Sequence, residues 1–292
     1  MEMNTRTVEV NTVDFALSRP AVARILIAQA SWNDSHWKEQ FGLYFHADLK
    51  EAQQRLEVIL AQARQATVDM VLLPELSVPE ECLQVAQNWT DQTGSIVIAG
   101  SHYTKTKRGF VARSPIIVAG KVFFTEKIVP APAENSPISG EGLQEGRELT
   151  IFRNSSVGNF GVLICSDYLD LETKQKIQME SLDLLCVPAF QRDSSVYHTR
   201  MSIDCEESSN GIYIAYANTK CGDFGDGRSA FFGLMDTLFL SKLQKAHFTD
   251  ANPSWKICEL DPSQSYMVVE IDLALRLRSY ASFTRLTKRR SR

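Results

Sequence analysis

The chain is short of most features that would settle a class quickly. Among its 292 residues there is no uninterrupted apolar stretch of membrane-spanning length, which needs about 18 residues or more. The first residues form no apolar core of the kind that opens a secretory leader, so no signal peptide is expected. The net charge of −4 is too mild to point to a nucleic-acid or membrane partner. Histidines number only five, and no His/Cys spacing matches a zinc site. The six cysteines (Cys82, Cys165, Cys186, Cys205, Cys221 and Cys258) include no CxxC pair. Reduced thiols in a cytoplasmic protein are the simplest expectation. No sequence repeat of fixed period occurs. The basic end, Lys288 to Arg292, reads as a solvated tail.

What the chain does have is apolar mass. Apolar residues make up 44%, enough for a large core. Short apolar runs alternate with amphipathic ones. Arg24–Ala30, Val68–Leu73, Ser95–Gly100, Gly158–Cys165, Leu182–Val187 and Gly211–Ala217 read as buried strands. Leu182–Val187 is expected to stop at Pro188. Helices are expected over His46–Gln65, whose Leu49, Ala52, Leu56, Ile59, Leu60 and Ala63 share a face, and over Pro79–Thr90, Leu171–Glu180 and Thr199–Ser209. Val111–Val118 and Lys121–Thr125 flank Ala119-Gly120 and predict a hairpin. Glu148–Arg153 precedes a further strand. Trp32–His46 lacks a clear period and is expected to be a loop or short helix over one rim. Cys221–Ala230 is expected as a glycine-rich loop, Gly233–Leu240 and Tyr266–Ile271 as late strands, and Leu273 onward as a helix or arm. This alternation with no linker predicts an α/β layered domain over residues 21–275, with an N-terminal arm or edge segment (1–20) and a C-terminal arm and basic tail (276–292).

Three strand ends carry reactive groups. Glu75 follows VLLP, Lys127 follows VFFTE and Cys165 follows GVLI. They lie 52 and 38 residues apart, so only a sheet whose strand ends converge can bring them together. If it does, the chemistry is coherent. A cysteine thiolate is a nucleophile. A carboxylate in an apolar setting can exchange its proton. An ammonium stabilises a developing oxyanion, with the Ser166 backbone N–H as a second donor. Taken singly, each has a plainer reading: a buried small hydrophobe, a helix-start acid, a surface lysine.

The segments QATVDMVLLPELSV around Glu75, KVFFTEKIVPAPAE around Lys127 and NFGVLICSDYLDLE around Cys165 make the chain resemble the nitrilase superfamily of carbon–nitrogen hydrolases. LLCVPAF and NGIYIAYANTKCGDFGDGRSAFFG support the likeness, which spans roughly residues 22 to 275. The resemblance implies a four-layer αββα sandwich and a catalytic triad: Glu75 as general base, Lys127 as oxyanion-stabilising lysine, Cys165 as nucleophile. It also implies a second glutamate after the lysine, for which Glu134 fits better than Glu141. It implies a small-molecule amide, carbamoyl or nitrile substrate, no metal or organic cofactor, and a homodimer or larger homo-oligomer. Ser166 stands where the family usually has an aromatic residue, Asp167 matches the usual acid, and no clear Arg-Ala segment precedes Asn210-Gly211.

Phe190, Gln191 and Arg192 follow a strand end and are candidates for the pocket wall, or for a plain loop. His198 has no acid at a suggestive spacing and reads as structural. The Asp223–Gly227 stretch lacks the full ligand pattern of a calcium loop. The leading expectation is a thiol amidohydrolase. Two others stay open: an amidotransferase or N-acyltransferase with the same triad, and a silent binding or assembly module.

Overall fold

The computed structural model describes residues 8–18, 20–40, 43–107, 109–134, 142–178, 180–207, 212–233 and 256–273. Among these residues two seven-stranded sheets form the centre of the molecule. The first sheet runs in the order Glu9–Asp14, Glu148–Ser155, Gly158–Val162, Leu184–Ala189, Tyr213–Asn218, Ala230–Phe232, Lys256–Glu259. The second runs Lys121–Glu126, Gly109–Val118, Ile96–Ile98, Met70–Leu72, Val22–Ala28, Tyr266–Asp272, with His102–Thr106 also paired to Gly109–Val118. Both sheets mix parallel and antiparallel pairs.

The continuous apolar runs follow from burial on both faces. Strand residues alternate sides. Ile25, Ile27, Met70, Leu72, Ile96 and Ile98 face Phe152, Phe160, Val162, Leu184 and Cys186 of the other sheet and form the central core. The intervening Leu26, Ala28, Val71 and Val97 pack on two helices, α1 (Leu49–Gln65) and α2 (Leu83–Thr93). On the far side, Ile151, Leu185, Val187, Ile214 and Tyr216 pack on α3 (Leu171–Gln178) and α4 (Ser195–Glu207). The result is the four-layer αββα arrangement. Asp48 caps α1 by accepting from the Lys50 and Glu51 N–H groups, and Gly94 closes α2 at φ +71°. Ala119 and Gly120, at φ +46° and +72°, make the tight two-residue turn of the predicted hairpin.

Several expectations are corrected. Trp32–His46 carries the expected short helix only as one 3-10 turn, Asp34–His36, and is mostly strand. It holds a β-hairpin, Trp37–Gln40 with Leu43–His46, whose apolar and polar residues alternate too briefly to register as a period. The strand expected to stop at Pro188 continues to Ala189. Pro188 is tolerated because the flanking strand on one side pairs only as far as Cys186, so the missing N–H interrupts no ladder there. The strand before Cys165 ends at Val162. The His102–Thr106 strand had no separate signal, and Cys221–Ala230 contains short paired segments rather than a free loop. Glu9–Asp14 is an edge strand, parallel to Glu148–Ser155. Glu141, the expected strand over Gly233–Leu240 beyond Gly233, and the C-terminal arm and tail lie outside the described residues. No helix among the described residues is long and apolar enough to cross a membrane.

Candidate active site

Strands of both sheets end at one rim, and the two sheets are stitched there. The Glu75 N–H donates to the Ala189 carbonyl (3.3 Å). The Thr219 hydroxyl donates to the Glu75 carbonyl (2.9 Å). Gly100 permits the close pass of chain behind Glu75: at φ +63°, a Cβ there would sit 1.9 Å from the Pro74 carbonyl oxygen.

The rim brings together the three groups that the spacing left far apart. The Lys127 Nζ donates to Glu75 Oε1 at 2.8 Å and lies 2.7 Å from Glu134 Oε2. Glu134 is itself fixed: its Oε2 accepts the Ala131 N–H (2.7 Å) and its Oε1 accepts the Tyr103 hydroxyl (3.0 Å). Cys165, 1% exposed, lines the same cavity as Glu75, Lys127 and Glu134. Its sulfur accepts the Gln191 side-chain N–H at 2.8 Å, and Gln191 also donates to the Tyr197 hydroxyl (3.1 Å). Cys165 opens a 3-10 turn at φ +50°, a left-handed conformation costly for a residue with a Cβ.

One side chain holds the lysine strand against the cysteine turn. Buried Asp167 accepts the N–H groups of Ile128 (2.9 Å) and Val129 (2.7 Å) on one oxygen and that of Ile164 (3.2 Å) on the other. These residues adjoin Lys127 and Cys165. The Ser166 hydroxyl donates to the Val129 carbonyl and closes the same junction.

The electrostatics follow from burial. Burial opposes the Lys127 charge, yet Glu75 and Glu134 overcome it and hold its pKa well above the usual lysine range. Burial pushes the Glu75 carboxyl up, against the pull of Lys127 and with a further push from Glu134. Burial and then the Glu75 charge push the Cys165 thiol up to about 12, while Lys127, the Phe190 N–H and Gln191 oppose them. The resting cysteine is therefore a thiol. Glu75 lies on the same cavity wall, near enough for its charge to act on the thiol.

The cavity has a volume of about 410 Å³. Phe190 and Gln191 line it, while Arg192 is exposed and is not part of its wall. The sequence reading missed Tyr103 and Tyr197, which anchor Glu134 and Gln191, and the hairpin residues Trp37, Glu39 and Tyr44 on the wall. His198 is buried away from the thiol, its ring against Tyr216 and Phe232 and its Nε2 bonded to the Arg228 carbonyl. No cluster of three or more metal-ligating His, Cys, Asp or Glu side chains occurs among the described residues.

The fold is that of the nitrilase superfamily. Over 92% of the chain it superposes on 98% of an amidase from the nitrilase superfamily of Nesterenkonia AN1, with a TM-score of 0.64 and 16% identity. It is similar to a CN-hydrolase superfamily protein of Xanthomonas campestris that carries an arsenic adduct in its active site (TM-score 0.64, 16% identity, 91% and 97% of the two chains). It also matches a glutamine-dependent NAD+ synthetase from Acinetobacter baumannii (TM-score 0.63, 16% identity); there it covers 87% of its own length and spans 46% of the synthetase chain. No protein-family model matches the sequence, and no curated protein does.

Proposed function

We propose that the protein is a thiol amidohydrolase that cleaves a non-peptide carbon–nitrogen bond of a small molecule. The observation that carries this reading is the Lys127 ammonium fixed between two buried carboxylates, with a strained cysteine on the same cavity floor. Because the thiol starts protonated, attack must pass its proton to a neighbour. Glu75 is the base on the same cavity wall, and burial raises its proton affinity toward a useful range.

Cys165 Sγ bonds to the amide carbon as its proton moves to Glu75. The carbonyl oxygen becomes an oxyanion facing Lys127 and the Ser166 backbone N–H. Glu75 returns the proton to the departing nitrogen, the carbon–nitrogen bond breaks, and a thioester remains. Water, deprotonated by Glu75, then attacks the thioester and restores the thiol. Glu134 orients the ammonium throughout. In a mutant of an amidase of similar fold, the acetamide moiety of fluoroacetamide is covalently added at the active-site cysteine, which supports a thiol as the reacting group.

The test is mass spectrometry of the intact chain after incubation with a mixed library of small amides. An acyl adduct on Cys165, together with amide hydrolysis that Cys165→Ala abolishes, is the expected result. Unchanged hydrolysis by that variant overturns the proposal. The likeness to a glutamine-dependent synthetase favours one second reading, transfer of the nitrogen or acyl group to another acceptor. Added hydroxylamine then diverts the thioester to a hydroxamate faster than water consumes it.

A further inference from the structure

The Trp37–Gln40/Leu43–His46 hairpin has no part in the triad, yet it builds the outer wall of the same cavity. It is firmly attached. The His46 Nε2 donates to the carbonyl of Leu76, the residue after Glu75, at 2.6 Å. Burial holds that imidazole near a pKa of about 4, so it stays neutral. Strand alternation then decides what the cavity meets. Trp37 and Glu39 share one face with their cross-strand partners His46 and Tyr44, while Lys38 falls on the other. A one-residue slip would exchange the acid for the lysine.

Besides Tyr103, four of the rings on the cavity wall stand in two pairs. Trp37 lies 5.7 Å from Phe190, and Tyr44 lies 6.4 Å from Phe224, centroid to centroid. Tyr44 and Phe224 are 40% and 54% exposed at the mouth. Among the described residues the only cation on the wall is Lys127, and both its neighbours are carboxylates. Among the described residues no arginine or histidine lines the cavity. Glu39 is exposed, on the wall, and has no ion-pair partner among the described residues. Among these described residues an anionic substrate would find no free counter-charge. A cation would find π-faces and a carboxylate, the combination that recognises ammonium groups.

Resting on the thioester reading above, we infer that the site selects small amides whose non-reacting end is an aromatic body carrying a positive charge, with Glu39 as the charge-selecting residue. The selection is read with three para-substituted chloroacetanilides bearing trimethylammonium, tert-butyl or carboxylate. The first two groups have the same shape. In each reaction Cys165 Sγ bonds to the methylene carbon, chloride leaves, and the thiol proton passes to Glu75. Rates on Cys165, followed by mass spectrometry and normalised to each probe's rate with glutathione, give the order cation, neutral, anion. The cation-to-anion ratio is roughly tenfold, the summed attraction and repulsion of unit charges about 6 Å apart in a near-aqueous setting. Glu39→Gln brings the ratio near one, Glu39→Lys inverts it, and added salt shrinks it. Phe224→Ala, at an exposed position, lowers the cationic probe's rate relative to plain chloroacetamide. Equal wild-type rates for the three probes, with plain chloroacetamide still selective for Cys165, overturn the inference and leave the hydrolase reading intact. Plain chloroacetamide reacting with Cys165 no faster than with the other cysteines overturns both.

Discussion

Removing the Asp167 carboxyl tests the geometry most directly, because it disturbs the site without touching a reacting group. Asp167 accepts three backbone N–H groups, two just after Lys127 and one just before Cys165. Asp167→Ala leaves all three donors, buried or part-buried, without an acceptor. At about 1–3 kcal/mol each, the loss is at least ~3 kcal/mol, a large share of the stability of a typical domain. Asp167→Asn is milder. Its carbonyl keeps the Ile128 and Val129 bonds, but its NH₂ meets the Ile164 N–H donor to donor, for a loss of about 1–2 kcal/mol. Urea unfolding followed by tryptophan fluorescence measures both. Amide hydrolysis reports the site, with Asp167→Ala losing far more kcat/KM than Asp167→Asn. Burial also raises the Asp167 carboxyl to about 8, against the pull of the Val129 N–H, Lys127 and the Ile164 N–H. A carboxyl raised in the folded state stabilises it fully below the ordinary value of 3.8, and that contribution is lost as pH climbs toward 8. Asparagine does not titrate. The wild-type advantage over Asp167→Asn therefore narrows as pH rises from 5 to 8. An alanine variant within 0.5 kcal/mol of wild type and with full kcat/KM would refute the clamp.

Four further outcomes follow from the same site. Lys127→Met strands Glu75 and Glu134 in the interior and loses about 3–5 kcal/mol in urea unfolding along with turnover; an active, stable variant contradicts the ion cluster. Gly100→Ala drives a Cβ into the Pro74 carbonyl, so it lowers thermal stability and shifts Glu75, which shows as lost kcat; an unaltered melting temperature contradicts the close approach. Because burial raises Glu75 above its usual 4.5, the acid limb of kcat/KM lies above that value, and a limb at or below it argues against Glu75 as the base. Gln191→Ala removes a donor that holds the thiol's pKa down, so iodoacetamide labels Cys165 more slowly than in wild type; an equal or faster rate removes Gln191 from that role.

The sequence alone determined the layered class and most of the strands, because residues buried on both faces must be apolar without interruption. It also marked Glu75, Lys127 and Cys165, since each polar group breaks an apolar run at a strand end. It could not decide that these three meet, nor that Glu134 completes the ion cluster. Those contacts join segments tens of residues apart and depend on how two sheets stack and where their strands stop. Tyr103, Tyr197 and the wall residues Trp37, Glu39 and Tyr44 were invisible for the same reason. A hydroxyl or a ring acquires its role only from the neighbour across the gap, and that neighbour is chosen by packing, not by proximity along the chain.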